Sequence, residues 1–577
     1  MGENNELAEK VDSSEVEETT NKEETPKVEE KAPEDEGLIE EAPNLTGAHV
    51  DKDGVVEYND AKVSRINKFF GITRHGSSIR IEILAGIVTF LAMCYILTVN
   101  PNNIFFDGTK DIHWSSLFIA TAIGAIIGTL LMALVARMPF AQAPGLGLNS
   151  TIGTLIGGGI GAYSEAYGKY PFSFGNAMLL VLISGIIFIL VSIIPIGIDR
   201  KTGRWITLRE RIFDSIPESI RKAISVGLGL FIAFIGLQNA GIIIKNDFTI
   251  VSLLPFNLKE SWIIETSPGV WGPGGPACAA VVCMFGFVVI ALLSHLKVKG
   301  AVIIGILAAT VLGWGLNVTS IDILKGEVPG ITWKFWENFK TFFNPYNEGG
   351  VAFTAFTDGF NFPAGSGMTA VMVIVTLCMI DMFDTMGSVV GCATTAGLVD
   401  KNGKPLNYNK IMVSDSIATV AGAAVGTSTV TMFVESGSGI AAGGKTGFTS
   451  LVTAICFFLA IFFLPIFAFI PSAAAASALL YVGVLMMGNI TGVDFKNPLH
   501  VVPAFVTIIM MPLTYSITTG IGLGIITYVV LNSLAFTFDM ILFKMKKRKN
   551  KPKWDISLIC FVIFALFLVY FLVPTSF

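Results

Sequence analysis

The sequence has little charge for its length, and this shortage limits the kinds of protein that it can encode. Only 14% of its 577 residues are Asp, Glu, Lys or Arg, whereas 52% are hydrophobic, and the mean hydropathy is +0.67. Soluble globular proteins carry about 25% charged residues. The chain is therefore expected to lie mostly within a membrane and not to form several soluble domains.

Cysteine and histidine are also scarce, and their spacing argues against several kinds of site. The seven Cys form no CxxC pair, so neither a disulfide framework nor a zinc site is predicted. None of the five His lies in the middle of an apolar segment and no HExxH motif occurs, which argues against an intramembrane metalloprotease. With no nucleophile–base pair either, we expect no enzyme, no cofactor, no metal and no nucleic-acid partner.

Much of the negative charge lies in the first 60 residues. Residues 1–60 are rich in Glu, Lys, Pro, Asn and Thr and are strongly acidic, so the remainder of the chain is net basic. A segment of low hydrophobicity and high net charge buries too little apolar surface to fold alone. The sequence thus predicts a disordered acidic cytosolic tail over 1–60, and a trafficking or regulatory role for it stays open.

The rest of the chain contains fourteen apolar windows, and several reach the roughly 20 residues that a spanning helix needs. When the N-terminus is placed in the cytosol, far more Lys and Arg fall in cytosolic than in outer loops, as the positive-inside rule expects. The predicted divisions are a first seven-span repeat over 61–317, an extracellular loop over 318–365, a second seven-span repeat over 366–542, and a basic linker with a C-terminal hydrophobic helix over 543–577.

Two windows, 141–157 and 427–442, are predicted to be interrupted helices at matching positions of the two halves. The first contains a Pro-Gly-Leu-Gly string, and the second begins with a Thr/Val-rich run that favours extended backbone. Matched interruptions in inverted repeats point to the binding site of a secondary transporter. Half-helices are expected to begin near Asn149 and Glu435. Close helix packing is the alternative explanation for isolated Gly residues.

Carboxylates inside the predicted spans are the main candidates for function. Asp381 and Asp384 lie in the eighth window and Glu435 in the tenth, and no Lys or Arg lies in any window to pair with them. An unpaired carboxylate in a membrane is costly unless it is protonated or paired with a ligand. Bonding to nearby Ser or Thr is the structural alternative. Asp415, at the start of the ninth window, is interpreted as a helix cap or loop anchor.

These acids, together with Asn149, suit a flat, neutral ring with hydrogen-bonding edges. Carboxylates accept hydrogen bonds from ring N–H groups, and an amide and free backbone N–H groups at half-helix starts complete the set. A protonatable Asp or Glu would also allow transport to be coupled to H⁺. An anion would be repelled by the carboxylates, and the ligand set is small for Ca²⁺.

Three strings of the sequence resemble a known family. They read APGLGLN over 143–149, IDMFDTMGSVVG over 380–391 and GTSTVTMFVESGSGIAAGGKTG over 426–447. These strings resemble the AzgA-like purine permeases, the adenine/guanine/hypoxanthine branch of the nucleobase transporters, and the resemblance covers about residues 65–542. Gly437 stands where relatives commonly have Ala.

The resemblance implies an all-α polytopic membrane fold of 14 transmembrane segments in a 7+7 inverted repeat, with short extended stretches in broken spans 3 and 10. A core domain of spans 1–4 and 8–11 would slide against a gate domain of spans 5–7 and 12–14 in an elevator-like movement. It also implies purine–H⁺ symport into the cytosol across the plasma membrane, with the proton as coupling ion and no other cofactor, and a homodimer in the lipid bilayer.

The resemblance also carries residue roles onto this sequence. The implied substrate-binding residues are Asn149, Asp381, Glu435, Asp384, Asn100 and Ser436, of which Asp381, Glu435 and Asp384 are also the candidates for carrying the proton.

Three alternatives stay open. They are a sulfate- or bicarbonate-type anion transporter on the same fold, a uracil/xanthine transporter on the same fold, and a non-transporting sensor.

Overall fold

The computed structural model describes residues 48–50, 56–58 and 65–572, apart from 105–111, 154, 157–171, 199–204, 247–249, 268–269, 299, 326–330, 346–347, 363–365, 400–404, 494, 515–516, 546–553 and 555. It divides into two compact units, Met1–Ala61 and Lys62–Phe577. In the first unit, β1 (Ala48–Val50) pairs antiparallel with β2 (Val56–Tyr58). These strands fall within the segment 1–60 that the sequence predicts to be disordered, and the rest of that segment lies outside the described residues.

Helices make up most of the described part of the second unit. In chain order they are α1 (Arg65–Phe70), α2 (Ile79–Met93), α3 (Ile96–Ile104), α4 (Trp114–Leu131), α5 (Leu146–Gly153), α6 (Phe174–Ile193), α7 (Leu208–Ser215), α8 (Glu218–Asn239), α9 (Pro276–His295), α10 (Ala301–Gly315), α11 (Asp322–Lys325), α12 (Phe335–Phe343), α13 (Thr354–Thr357), α14 (Gly367–Thr395), α15 (Tyr408–Ala424), α16 (Ser436–Ala441), α17 (Gly447–Ala460), α18 (Leu464–Ala468), α19 (Ser472–Met487), α20 (Pro498–Leu513), α21 (Ile517–Lys544) and α22 (Leu558–Leu572). The predicted extracellular loop 318–365 thus contains the short helices α11, α12 and α13.

Short antiparallel pairs of strands connect some of these helices. Three of them are local pairs between successive strands, and the fourth joins segments far apart in the sequence. The strands are β3 (Gln142–Pro144), β4 (Pro195–Ile198), β5 (Trp205–Thr207), β6 (Ile243–Asn246), β7 (Ile250–Leu253), β8 (Ile263–Ser267), β9 (Val270–Pro273) and β10 (Val430–Met432), and β10 pairs with β3.

Eight segments among the described residues are long and apolar enough to cross a membrane, and shorter apolar helices accompany them. Large apolar side chains on the outer faces of these helices are more than half exposed, for example Leu190, Val311 and Phe505. Exposure of such side chains is favourable in contact with lipid and unfavourable in water. The chain is therefore a helical membrane protein, whereas the count of fourteen spans stays a prediction. The eight segments are Ile79–Ile104, Trp114–Ala136, Phe174–Ile193, Glu218–Asn239, Pro276–His295, Thr369–Met386, Gly447–Ala468 and Thr519–Lys544.

The helices pack mainly within two groups. The site group contains α2 to α6 and α14 to α17 with β3 and β10, and α4 and α15 pack against each other at its centre. The outer group contains α8, α9, α10, α19, α20 and α21, and α8 packs against both α19 and α20.

Packing partners in the first half of the chain recur in the second half. In the site group, α17 packs on α2 and α4, and α6 packs on α14 and α15. In the outer group, α9 packs on α10 and α19, and α20 packs on α21 and α8. These pairings correspond to one another when the two halves are exchanged.

The two interrupted windows meet as β3 and β10, as the extended stretches predicted from sequence require. Val430 lies opposite Pro144, and Met432 lies opposite Gln142. Helix glycines allow this close approach, since a Cβ added to Gly422 of α15 would lie only 2.7 Å from the Val430 side chain. Beyond the strands the chain forms half-helices α5 and α16, so the predicted interruptions are confirmed.

Candidate functional site

Thr431 lies at the centre of the site, where the two interrupted segments meet α14. A Cβ added to Gly145 would lie 3.0 Å from Thr431 Oγ1, so the backbone after β3 passes directly beside this hydroxyl. The same hydroxyl donates to Asp384 Oδ2 over 3.4 Å. The backbone N–H of Gly145 donates to the carbonyl of Thr429 at 2.9 Å. The structure thus brings β3, β10 and Asp384 together.

Glu435 is the residue immediately before α16, as predicted, and it is partly exposed. Its Oε1 accepts a hydrogen bond from the Tyr95 hydroxyl at 2.6 Å. Tyr95 lies between α2 and α3 and is 1% exposed. Sequence reasoning missed Tyr95, although a tyrosine in the apolar window 82–100 is a signal, because a buried phenol usually has a hydrogen-bonding partner.

Asn149 lies in the first turn of α5 and is fully buried, with α5 beginning three residues earlier than Asn149 itself. Its Oδ1 accepts a hydrogen bond from the Ser428 hydroxyl beside β10. Its Nδ2 group has no hydrogen-bonding partner among the described residues. Leaving a buried donor unsatisfied costs about 1–3 kcal/mol, so this amide is a candidate donor to a bound ligand.

The two acids of α14 have different surroundings. Asp381 is 2% exposed, and its carboxyl oxygens contact the hydroxyls of Thr385 at 3.3 Å and Thr419 at 3.2 Å. Asp384 is partly exposed. The sequence favours Asp381 as the acid that holds a ring, but in this structure Asp384 is the more accessible of the two, and Asp381 lies among threonines.

Asp415 corrects one prediction made from sequence and has a partner that the sequence did not predict. It is no helix cap, because α15 begins at Tyr408 with Asn407 as its cap, and Asp415 is fully buried within the helix. It also has a basic partner, since Arg209 Nη2 lies 2.9 Å from Asp415 Oδ2 with both side chains fully buried. The lack of basic partners was inferred only inside the apolar windows and only for Asp381, Asp384 and Glu435, so this buried ion pair was not predicted.

There is a structural reason why the Arg209–Asp415 pair was not foreseen. Arg209 lies on α7, a short charged helix that the charge count assigns to a cytosolic loop. In the structure α7 packs against α6 and α14, and the Arg209 guanidinium stacks over the Phe188 ring at 4.2 Å from its centroid. An amphipathic connecting segment carries its arginine into the interior in a way that hydropathy alone does not reveal.

Comparison with known proteins identifies the family. The family model of the xanthine/uracil permeases, described as a permease family, matches residues 80–264 and 276–523. The chain belongs to this family. The guanine/hypoxanthine permease PbuG of Bacillus subtilis is 35% identical, with 87% of this chain and 99% of the relative covered. The adenine permease AdeP of Escherichia coli is 32% identical, with 81% and 90% covered.

The resemblance inferred from the three sequence strings is thus confirmed, and the protein is a multi-pass membrane permease and not an enzyme. Among solved structures, the transmembrane domain of the cyanobacterial bicarbonate transporter BicA superposes on the permease with a TM-score of 0.49 at 13% identity, covering 76% of this chain and 97% of that one.

Two of the predicted binding residues brace the broken segments of the permease. Asn100 is fully buried, and its Nδ2 donates to the hydroxyls of Thr121 at 2.6 Å and Thr427 at 2.9 Å. The Ser436 hydroxyl accepts from the backbone N–H of Ala141 at 3.0 Å and is also fully buried. Both side chains bind residues that lie shortly before β3 or β10, Ala141 in one case and Thr427 in the other.

Glu82 is a further buried acid, which sequence reasoning did not single out. It is fully buried in the first turn of α2. Its carboxylate accepts from the backbone N–H of Lys445 at 3.1 Å and from the Thr446 and Thr449 hydroxyls at 2.8 and 2.5 Å. Glu82 therefore binds the loop that follows α16 and stabilises the N-terminus of α17.

Proposed function

We propose that the permease imports the purine nucleobases adenine, guanine and hypoxanthine into the cytosol by proton symport. The observation that carries this proposal is the pair of partly exposed carboxylates, Asp384 and Glu435, at the crossing of two interrupted segments in a chain whose relatives are named for guanine, hypoxanthine and adenine. Interrupted segments at matching positions are typical of transporter substrate sites.

The hydrogen-bonding groups of the site match the edge of a purine. Glu435 Oε1 is occupied by Tyr95, and the second oxygen of this carboxylate is the one that accepts from a ring or exocyclic N–H. Asp384 supplies a second acceptor. The Asn149 amide, whose Nδ2 has no partner in the described part of the chain, supplies a donor for a ring nitrogen or carbonyl.

Different arguments weigh against the two kinds of rival substrate. A sulfate or bicarbonate ion would meet Asp384 and Glu435 at close range, and like charges in a medium of low dielectric constant repel strongly. Uracil or xanthine fits the same kind of hydrogen-bonding edge, so the names of the relatives, rather than the chemistry of the acids, favour the adenine/guanine/hypoxanthine group.

The transport movement belongs to the same proposal. Fourteen spans in a 7+7 inverted repeat would give a core domain that slides against a gate domain. The two packing groups and the recurrence of packing partners between the halves support this arrangement. The protein would act as a homodimer in the plasma membrane with its N-terminus in the cytosol. Asp381, Asp384 or Glu435 would bind the coupled proton.

Uptake of radiolabelled bases by cells that lack their own nucleobase transporters tests the proposal. We expect adenine, guanine and hypoxanthine to enter and to compete with one another, and we expect a protonophore to lower their accumulation. Glu435→Gln should abolish uptake while surface protein stays unchanged. Entry of uracil or xanthine without the other purines would reject the substrate group, and indifference to the proton gradient would reject symport.

A further inference from the structure

The buried ion pair lies one hydrogen-bonding step from Asp381. Arg209 Nη2 donates to Asp415 Oδ2 at 2.9 Å, and Arg209 Nη1 donates to the carbonyl of Met412 at 3.2 Å. Neither charged side chain has any exposed surface. A buried guanidinium keeps its charge under all ordinary conditions, so it favours an ionised carboxylate beside it.

Asp415 receives more donors than the arginine alone. Gln142 Nε2, from β3, and the Thr385 hydroxyl each donate to Asp415 Oδ1 at 2.9 Å. With Arg209 on the other oxygen, both oxygens of Asp415 accept hydrogen bonds. A carboxylate that accepts several hydrogen bonds and faces a cation is stabilised in its charged form.

Within the part of the chain that the structure describes, each hydroxyl that contacts the Asp381 carboxyl also contacts another acceptor. The Thr385 hydroxyl has one hydrogen and contacts both Asp415 Oδ1 at 2.9 Å and Asp381 Oδ1 at 3.3 Å. The Thr419 hydroxyl is likewise shared between Asp381 Oδ2 and the carbonyl of Val430, both at 3.2 Å. If each hydroxyl donates to its other acceptor, neither contact to Asp381 is a hydrogen bond while Asp381 is ionised, and the one hydrogen of a protonated Asp381 can complete one of the two.

We propose that Arg209 is a positioning residue that holds Asp415 ionised, so that Asp381 is the carboxyl of this pair that binds and releases the coupled proton. The proposal rests on proton-coupled purine transport as the function. One O–H bond forms on Asp381 when the proton enters from the outer side. The same bond breaks when the proton leaves to the cytosol, and Thr385 changes only the direction of its hydroxyl.

Other charged and titratable groups around Asp381 define what a test must separate. Asp415, Arg209 and Asp384 act on Asp381 electrostatically, and Cys378 on its own helix also interacts with it. Glu435 acts on Asp384 and on Tyr95. Changes at Arg209 and Asp415 leave all the other groups in place, so their effects can be compared directly.

The test is the pH dependence of adenine uptake and of adenine binding to purified full-length protein for Arg209→Gln, Asp415→Asn and the double variant. Without Arg209, two carboxyls share one proton, and the pH of half-maximal uptake should rise by about 1 unit or more. Without the Asp415 charge, Asp381 faces only Arg209, and this pH should fall by a similar amount. The double variant should return close to wild type.

Opposite shifts distinguish this role from a structural one, which would lower the amount of protein or the maximal rate without moving the pH profile. Unchanged profiles in folded variants would overturn the proposal. Arg209→Lys keeps the charge and should shift the pH profile less than Arg209→Gln. If Arg209→Gln does not fold, the pH profile of Arg209→Lys tests the role of the charge. Lys222→Gln, from an exposed ion pair with Glu218, is the control and should match wild type. If the proposed function were wrong, the wild-type protein would already show no purine uptake, and this result would be distinct from an unchanged pH profile in the variants.

Discussion

The Tyr95 hydroxyl donates a 2.6 Å hydrogen bond to Glu435 Oε1 and so links the bend between α2 and α3 to the start of α16. Tyr95 is 1% exposed, whereas Glu435 is partly exposed, so solvent reaches the acid but not the phenol. The contact holds one oxygen of the Glu435 carboxylate. If Glu435 binds the base as proposed, Tyr95 is the residue that orients this carboxylate.

Removing this hydroxyl should weaken substrate binding. In Tyr95→Phe, Glu435 loses a hydrogen bond to a charged acceptor, an interaction that contributes about 1.5–3 kcal/mol, so we expect KM for adenine to rise roughly tenfold or more. Initial rates of uptake over a range of adenine concentrations measure it. Tyr481→Phe, on α19 in the outer group of helices, is the matched control, and equal KM values for the two variants would contradict the role of Tyr95.

Asp384 and Asp381 should give different phenotypes when each is replaced by Asn. Asp384 is partly exposed, so Asp384→Asn should raise KM by about tenfold through loss of a charged acceptor to the base. Asp381 is 2% exposed, so Asp381→Asn should leave binding nearly unchanged and remove accumulation driven by the proton gradient. Uptake with and without a protonophore, together with binding to purified protein, separates the two effects. Identical defects in both variants would refute the division of roles.

The sequence predicts the parts of the site that depend on local backbone preference. The Thr/Val run before Glu435 predicts the extended β10, and the Pro-Gly string before Asn149 predicts the break that becomes β3. The partners of the acids depend on tertiary packing, which local patterns do not encode. Arg209 illustrates this limit, because its helix α7 has the composition of an exposed connector yet carries a fully buried guanidinium.

The distinction between Asp381 and Asp384 could not be predicted for a similar reason. The two residues are three positions apart, so sequence places them on one face of one helix. In the structure they have different partners, because Asp381 contacts the Thr419 hydroxyl, which also faces the Val430 carbonyl of β10, whereas Asp384 contacts the Thr431 hydroxyl of β10. The packing of β10 against α14 is a long-range contact, and the local periodicity of the sequence does not predict such contacts.

Two glycines of the same half-helix should respond differently to one added methyl group. A Cβ at Gly439 would lie 2.0 Å from Thr89 Oγ1 and 2.6 Å from the Ala85 carbonyl, so Gly439→Ala would force α16 away from α2. At Gly437 the nearest atom is Cys392 Sγ at 4.0 Å, so Gly437→Ala fits. We expect Gly439→Ala to lose most uptake and Gly437→Ala to keep it, with surface protein measured in parallel. Normal uptake by Gly439→Ala would contradict the close packing of α16 on α2.

Glu82 should contribute to stability rather than to substrate recognition. Its carboxylate accepts hydrogen bonds from the backbone N–H groups of Thr446 and Thr449 at 3.3 and 3.2 Å, as well as from both hydroxyls. Glu82→Gln removes the charge and turns one acceptor oxygen into a donor that faces other donors, at a cost of about 1–3 kcal/mol. The midpoint of thermal unfolding in detergent should therefore fall by several degrees, while KM of the remaining folded protein stays unchanged.

Glu218→Gln, which removes an exposed carboxylate paired with Lys222, is the control and should unfold like wild type, because exposed ion pairs contribute little. Equal unfolding midpoints for Glu82→Gln and Glu218→Gln would show that the loop after α16 does not depend on the Glu82 charge.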